Sequence, residues 1–139
     1  LESEGTGVER IILRDRLARP APETVFRPDP HVVAPRLLDL LALDDDGFRR
    51  RFAGSPVKRA KRRGLLRNAA VAAGNWGDPA AVPALAALLD DHEALVRGHA
   101  AWALGRMGTA AARRALERRR QQEVEDWVRD EIDAALALL

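Results

Sequence analysis

At 139 residues the chain can form one domain with a buried core, and its wealth of Ala and Leu, its three Phe and its lack of Tyr favour an all-α fold over a β-rich one. The absence of cysteine excludes disulfides and thiolate metal sites, and His31, His92 and His99 lack metal-ligand spacing. The formal net charge of +2 conceals nine cations without one acid in residues 47–67, so the rest of the chain sums to −7 and one region is set to face an anion.

Residues 1–34 read as a Pro-rich, extended linker, because Pro20, Pro22, Pro28 and Pro30 are spaced too closely for regular structure. Ile11, Ile12, Leu13 and Leu17 could form one helical turn or a short strand. Leu1–Gly7 do not read as a secretory signal, and no apolar run approaches the ~18 residues of a membrane span. A cytoplasmic protein with no membrane partner is the default expectation.

Helical signals begin at Pro35, and residues 35–139 read as the repeat domain. Leu37, Leu38, Leu40, Leu41 and Leu43 give a first apolar helix. Asp44, Asp45 and Asp46 suit a helix start, and Phe48 and Phe52 share a face at i,i+4. Gly54 ends that helix, and Ser55-Pro56 starts the next in the favoured cap-then-proline order. A break is expected at Gly64, then a helix over 65–73. Asp78-Pro79 repeats the cap-and-proline start, with Ala81, Val82, Leu85, Leu88 and Leu89 on one face. Val96, Ala100, Ala103, Leu104 and Met107 form the apolar stripe of the following helix. Thr109 caps another helix, with Ala112 and Leu116 inward. The last carries Val124, Trp127, Val128, Ile132, Ala135, Leu136 and Leu139.

The chain aligns with itself. Gly77, Asp78, Ala81 and Leu85 map by +31 onto Gly108, Thr109, Ala112 and Leu116, and Val96, Arg97, Ala100, Ala103 and Leu104 map by +32 onto Val128, Arg129, Ile132, Ala135 and Leu136. A helix pair of this length with V-R-x-x-A-x-x-A-L in its second helix resembles HEAT-like repeats. One such pair cannot bury its apolar face, so neighbours must stack. Two clear pairs, a partly degenerate one near 56–77 and a leading helix or two predict a short α-solenoid, a right-handed superhelix of antiparallel helix pairs.

Several residues look functional. In HEAT-like stacks an Arg placed like Arg97 or Arg129 pairs with an acid in an inter-helix turn, here Asp91. Gly98, Ala101 and Gly105 share a narrow face suited to close helix packing. Asn68, Asn75, His99, Trp102 and Arg106 fall on one stripe of successive second helices and are candidate concave-face contacts; alternatively, Asn68 and His99 satisfy backbone groups between helices. The basic block holds Arg49, Arg50, Arg51, Lys58, Arg59, Lys61, Arg62, Arg63 and Arg67. A solvated structural surface normally intersperses signs, whereas an uninterrupted run of Arg suits phosphate. Arg118, Arg119 and Arg120 sit among Glu117, Glu123, Glu125 and Asp126 and read as locally paired. No catalytic triad, carboxylate pair, phosphate loop, metal cluster or EF-hand spacing is present in the sequence.

The run GSPVKRAKRRGLLRNAAVAAGNWGD (Gly54 to Asp78), followed by LVRGHAAWALGRMG (Leu95 to Gly108), resembles the C-terminal HEAT-like domain of the epoxyqueuosine reductases. The likeness covers roughly residues 20–139. It implies a role in queuosine biosynthesis, in which those enzymes reduce epoxyqueuosine in the wobble position of certain tRNAs with cobalamin and two [4Fe–4S] clusters. The cofactor domains precede the helical domain, which helps hold the tRNA. This chain has neither the cysteines nor the length for them, so the expectation is a non-catalytic, cofactor-free tRNA-docking domain that grips the anticodon arm. Its partners would be tRNA and the missing catalytic domains, and a monomer is expected. By the same resemblance Lys58, Arg59, Lys61, Arg62, Arg63, Arg67 and Asn68 are the RNA-contact candidates. Two competing readings remain: a protein-interaction scaffold using the Trp102 stripe, and a DNA-binding HEAT-like protein of the base-excision type.

Overall fold

The computed structural model describes residues 30–54 and 57–139, with the side chains of 30–35 and 57–60 outside the description. The linker expected over 1–34 lies mostly outside it, as does the Ser55-Pro56 helix start. Among the described residues every regular element is helical.

Helix α1 (Pro30–Leu41) starts five residues before Pro35, so the expected boundary at 34/35 falls inside it. Asp44 then caps α2 (Asp45–Phe52), its Oδ1 accepting from the Gly47 N–H at 2.7 Å, and the Phe48 and Phe52 rings pack at a tilt with centroids 5.0 Å apart. Helix α3 (Val57–Trp76) is interrupted at Lys61 (φ 68°, ψ 152°) and runs unbroken through Gly64. The break lies three residues before the expected one, next to Arg62, whose side chain turns inward.

Asp78 caps a single 3₁₀ turn (Pro79–Ala81) by accepting from the Ala80 N–H at 2.8 Å, and α4 (Val82–Leu88) continues from it. Helix α5 (Ala94–Gly105) follows, and Thr109 caps α6 (Ala110–Arg120) through Oγ1 and the Ala112 N–H at 3.1 Å. The chain closes with α7 (Asp126–Ala137). Val124 precedes that helix and is exposed, so it contributes nothing to the face expected of it.

The helices form two layers. Helices α1, α4 and α6 touch in succession, as do α3, α5 and α7, and each of α4 and α6 also packs on the second helix of its pair. This is the stacking that pairs of about 31 residues require. The core runs along the seam between the layers: Leu41, Leu66, Leu85, Leu89, Val96, Leu104, Leu116, Val128 and Ile132 are fully buried. Helix α5 is the middle of its layer, and every residue from Val96 to Gly105 is buried, including Arg97 and His99.

The glycines of the two runs GNWGD (74–78) and GRMGT (105–109) do two jobs. Gly77 (φ +72°) and Gly108 (φ +69°) stop α3 and α5 in the left-handed region that side chains avoid, and the Gly77 N–H closes on the Ala73 carbonyl at 2.9 Å. Gly74 and Gly105 are places of close approach. A Cβ on Gly74 would stand 2.6 Å from the Trp102 ring, and one on Gly105 would stand 2.9 Å from the Ala135 Cα. Gly98 is the matching socket for Trp127, whose ring occupies the space of the missing side chain. The small residues of α5 therefore serve packing.

Candidate nucleic-acid interface

Buried polar groups form a ladder across the inter-helix turns. In the α4–α5 turn Asp91 accepts the Glu93 N–H at 3.0 Å; in the α6–α7 turn Glu123 accepts the Glu125 N–H at 3.1 Å. The two acids stand 32 residues apart, in the same register as the repeat. Each receives an arginine from the preceding pair. Arg97 donates through Nε and Nη2 to the two Glu123 oxygens at 2.8 and 2.9 Å, and through Nη1 to the Asp91 carbonyl at 2.9 Å. Arg97 therefore does lodge at the turn containing Asp91, but on its backbone; the carboxylate it pairs with is Glu123.

The Asp91 carboxylate belongs to Arg62. Arg62 Nη1 and Nη2 both donate to it, the first at 3.3 Å, while Nε donates to the Leu43 carbonyl at 2.8 Å and lies 3.8 Å from Asp45. The Arg62 side chain is 10% exposed and that of Asp91 6%. Position 66, where the repeat would place this arginine, is Leu66 in the core, and Arg62 reaches the turn from one helical turn upstream. The expected phosphate contact at Arg62 is thus corrected: its donors are taken up inside the protein.

Both ladder acids are held below the ordinary carboxylate range. Burial pushes the Asp91 carboxyl up, but the Arg62 hydrogen bonds, the Glu93 N–H and the charges of Arg62 and His92 together outweigh it. Burial likewise raises Glu123, and the hydrogen bond from Arg97, the Glu125 N–H and Arg119 bring it down. The His92 ring nitrogens lie 3.7 Å from Asp91 and Asp45 at the edge of the same cluster.

The other cations around this anchor face solvent. Arg50 and Lys61 are exposed with no ion pair among the described residues. Arg49 pairs with Asp46 at the surface, Arg63 lies 3.8 Å from Glu93, and Arg51 sits 5.8 Å from the Phe52 ring. Exposed pairs of this kind are worth about 0–1 kcal/mol each, so they do not withdraw those cations from a ligand. Arg67 is half-buried and reaches Asn68 Oδ1 at 3.4 Å, with Asn68 exposed. The Lys58 and Arg59 side chains lie outside the description.

The stripe of Asn68, Asn75, His99, Trp102 and Arg106 does not form a surface groove. His99 is 1% and Trp102 6% exposed. His99 Nδ1 lies 2.8 Å from the Leu95 carbonyl one turn back in its own helix, so it serves a backbone group of α5. The Trp102 ring lies in the Gly74 socket with the Arg106 guanidinium 5.1 Å above it. Asn75 and Arg106 remain exposed. Arg118, Arg119 and Arg120 are paired as expected, but mostly across the stack: Arg118 and Arg119 reach Asp90 at 3.2 and 3.3 Å, Arg120 reaches Asp133 at 2.6 Å, and only Arg119 to Glu123, at 3.1 Å, is local.

Comparison with known proteins agrees with this geometry. The HEAT repeats family matches residues 59–137. The chain is 31% identical over 115 residues to an uncharacterised protein from the gldA 3′ region of Geobacillus stearothermophilus, covering 82% of this chain and 53% of that protein. It is 33% identical over 115 residues to an epoxyqueuosine reductase of Bacillus anthracis, covering 82% of this chain and 30% of the reductase. A crystal structure of epoxyqueuosine reductase with a tRNA-Tyr epoxyqueuosine-modified stem loop superposes with a TM-score of 0.69 at 32% identity, covering 86% of this chain and 32% of that one. The resemblance read from the sequence is thus to a real set of relatives, of which this chain spans about half the length or less.

Proposed function

Because the chain belongs to the HEAT-repeat family, we propose that it is a binding module that docks the anticodon arm of a tRNA, working with catalytic domains of the epoxyqueuosine reductase kind. The observation that carries this reading is the set of exposed cations Arg49, Arg50, Arg51, Lys61 and Arg63 on the segments joined by one buried pair, Arg62 with Asp91, and held by nothing stronger than surface pairs with Asp46 and Glu93. Phosphate is the anion such a patch suits, because many separate cations can each neutralise one backbone charge. The likeness to a reductase solved with a tRNA stem loop supports RNA as the source of those phosphates. No cysteine is present to hold the iron–sulfur clusters that the likeness implies for whole reductases, so no redox step is assigned to this chain. The protein-scaffold reading loses its anchor, since Trp102 is buried and cannot serve as an interface hot spot.

The test is a binding titration with a tRNA-Tyr anticodon stem loop, followed by fluorescence anisotropy over a range of salt. Replacing Arg50, Lys61 and Arg63 together by Glu leaves the Arg62 anchor intact. Affinity should fall at least about tenfold, and the plot of log affinity against log salt should flatten by roughly two units, as the loss of about three phosphate contacts requires. Equal affinity in the triple variant would refute the assignment.

A further inference from the structure

We propose that Arg62 and Asp91 form a positioning clamp that sets the geometry of the phosphate-binding cations while touching no phosphate themselves. The proposal rests on the RNA-binding reading above and deepens it. The Arg62 guanidinium joins three segments: the start of α2, through the Leu43 carbonyl just before it and Asp45 at its first position, α3 itself, and the α4–α5 turn through Asp91. Each joined segment carries or borders a cation of the patch. Helix α2, which starts at the Asp44 cap, bears Arg49, Arg50 and Arg51. Lys61 and Arg63 flank Arg62 in the chain, and both are exposed because the residue between them is drawn inward. Lys61 sits at φ 68°, a backbone setting that non-glycine residues rarely adopt and that needs support from its surroundings. The Arg62 fork and the buried Asp91 carboxylate supply that support from the next residue.

The clamp and a simple charge effect make opposite predictions. Asp91→Asn removes one negative charge near the patch, so electrostatic attraction alone would tighten RNA binding or leave it unchanged. Loss of the clamp instead lets α2 and the start of α3 shift, and RNA binding should weaken about fivefold or more, with a shallower salt dependence, although the net charge has risen. Arg62→Lys keeps the charge but replaces the planar fork with a point ammonium, which cannot serve Leu43 and Asp91 together; it should weaken binding as Asp91→Asn does. Circular dichroism confirms that each variant is folded before titration. A measurement on the unaltered protein needs no variant: the Arg62 Nε–H resonance should stay fixed up to saturation with the stem loop, while those of Arg50 and Arg63 move.

Binding by folded Asp91→Asn equal to or tighter than that of the unaltered chain would overturn the clamp. So would full affinity in Arg62→Lys, or an Arg62 resonance that shifts with the RNA. If the unaltered chain binds no stem loop, the RNA reading itself has failed and the clamp's role in it falls too, a result distinct from the others.

Discussion

Arg97 spends its donors on two successive turns, a carboxylate below and a carbonyl above, and Glu123 returns the favour by holding Arg97, Arg119 and the Glu125 N–H at once. With Glu123 fully buried, such a group is costly to unpair and modest in net worth when paired, because desolvation offsets much of the attraction. Glu123→Gln should therefore destabilise the fold by about 3 kcal/mol, read from urea unfolding, since it leaves the buried Arg97 charge without its counter-ion. Arg120→Ala, which removes an equally short but exposed pair with Asp133, should cost about 0–1 kcal/mol in the same experiment. Similar changes for the two variants would mean that burial does not govern the ladder.

The helices are packed by absence of side chains as much as by their presence. Trp102 of α5 lies over Gly74 of α3, Trp127 of α7 lies over Gly98 of α5, and the Ala135 backbone comes up against Gly105. Gly105→Ala should cost about 1–3 kcal/mol, because the added methyl meets backbone that cannot rotate away. Gly64→Ala should instead stabilise by about 0.5–1 kcal/mol, since Gly64 is helical and only the tip of Arg67 comes within 4.0 Å of the new methyl. Thermal unfolding of the two variants checks both signs. The sequence made the elements legible, since caps at Asp44, Asp78 and Thr109 and an apolar period of 3.6 are local properties of the chain. It could not tell a glycine that stops a helix from one that receives a ring, because the second job depends on a residue about 30 positions away. For the same reason Trp102 looked like a surface residue: periodicity gives it a stripe, but only the Gly74 socket on the neighbouring helix lets the ring lie down and be covered.

At the scale of the molecule the ladder ties stability to pH. Asp91 and Glu123 both ionise more readily in the folded chain than in the unfolded one. The unfolded chain thus takes up protons first as the solution is acidified, so the stabilisation is fully present above the ordinary carboxylate range near 4 and is lost as pH falls through the lower, folded values. The midpoint of thermal unfolding should be flat from about pH 7 to 5 and then drop steeply below about pH 4, and Glu123→Gln should blunt that drop. A midpoint insensitive to acid would contradict the ladder. The existence of a ladder was readable in the V-R signature of the second helix, and the 32-residue spacing of Asp91 and Glu123 was there to be seen. Its wiring was not, because Leu66 occupies the repeat position in α3 and Arg62 substitutes for it from a different turn. That substitution also moved Arg62 from the binding surface to the interior, a distinction that a run of like charges cannot express.

The ring-and-socket contacts carry a consequence for how such a chain can drift. A larger residue at position 98 is harmful while Trp127 is present, and tolerated once the ring has been traded for something smaller; at position 74 the loss of the Trp102 ring relieves most of the clash, with the Ala103 backbone still 3.2 Å away. Each pair should therefore behave epistatically, its two members changing together or not at all. Relatives that keep the fold but lose a tryptophan should be the ones in which the partner glycine has been released to vary.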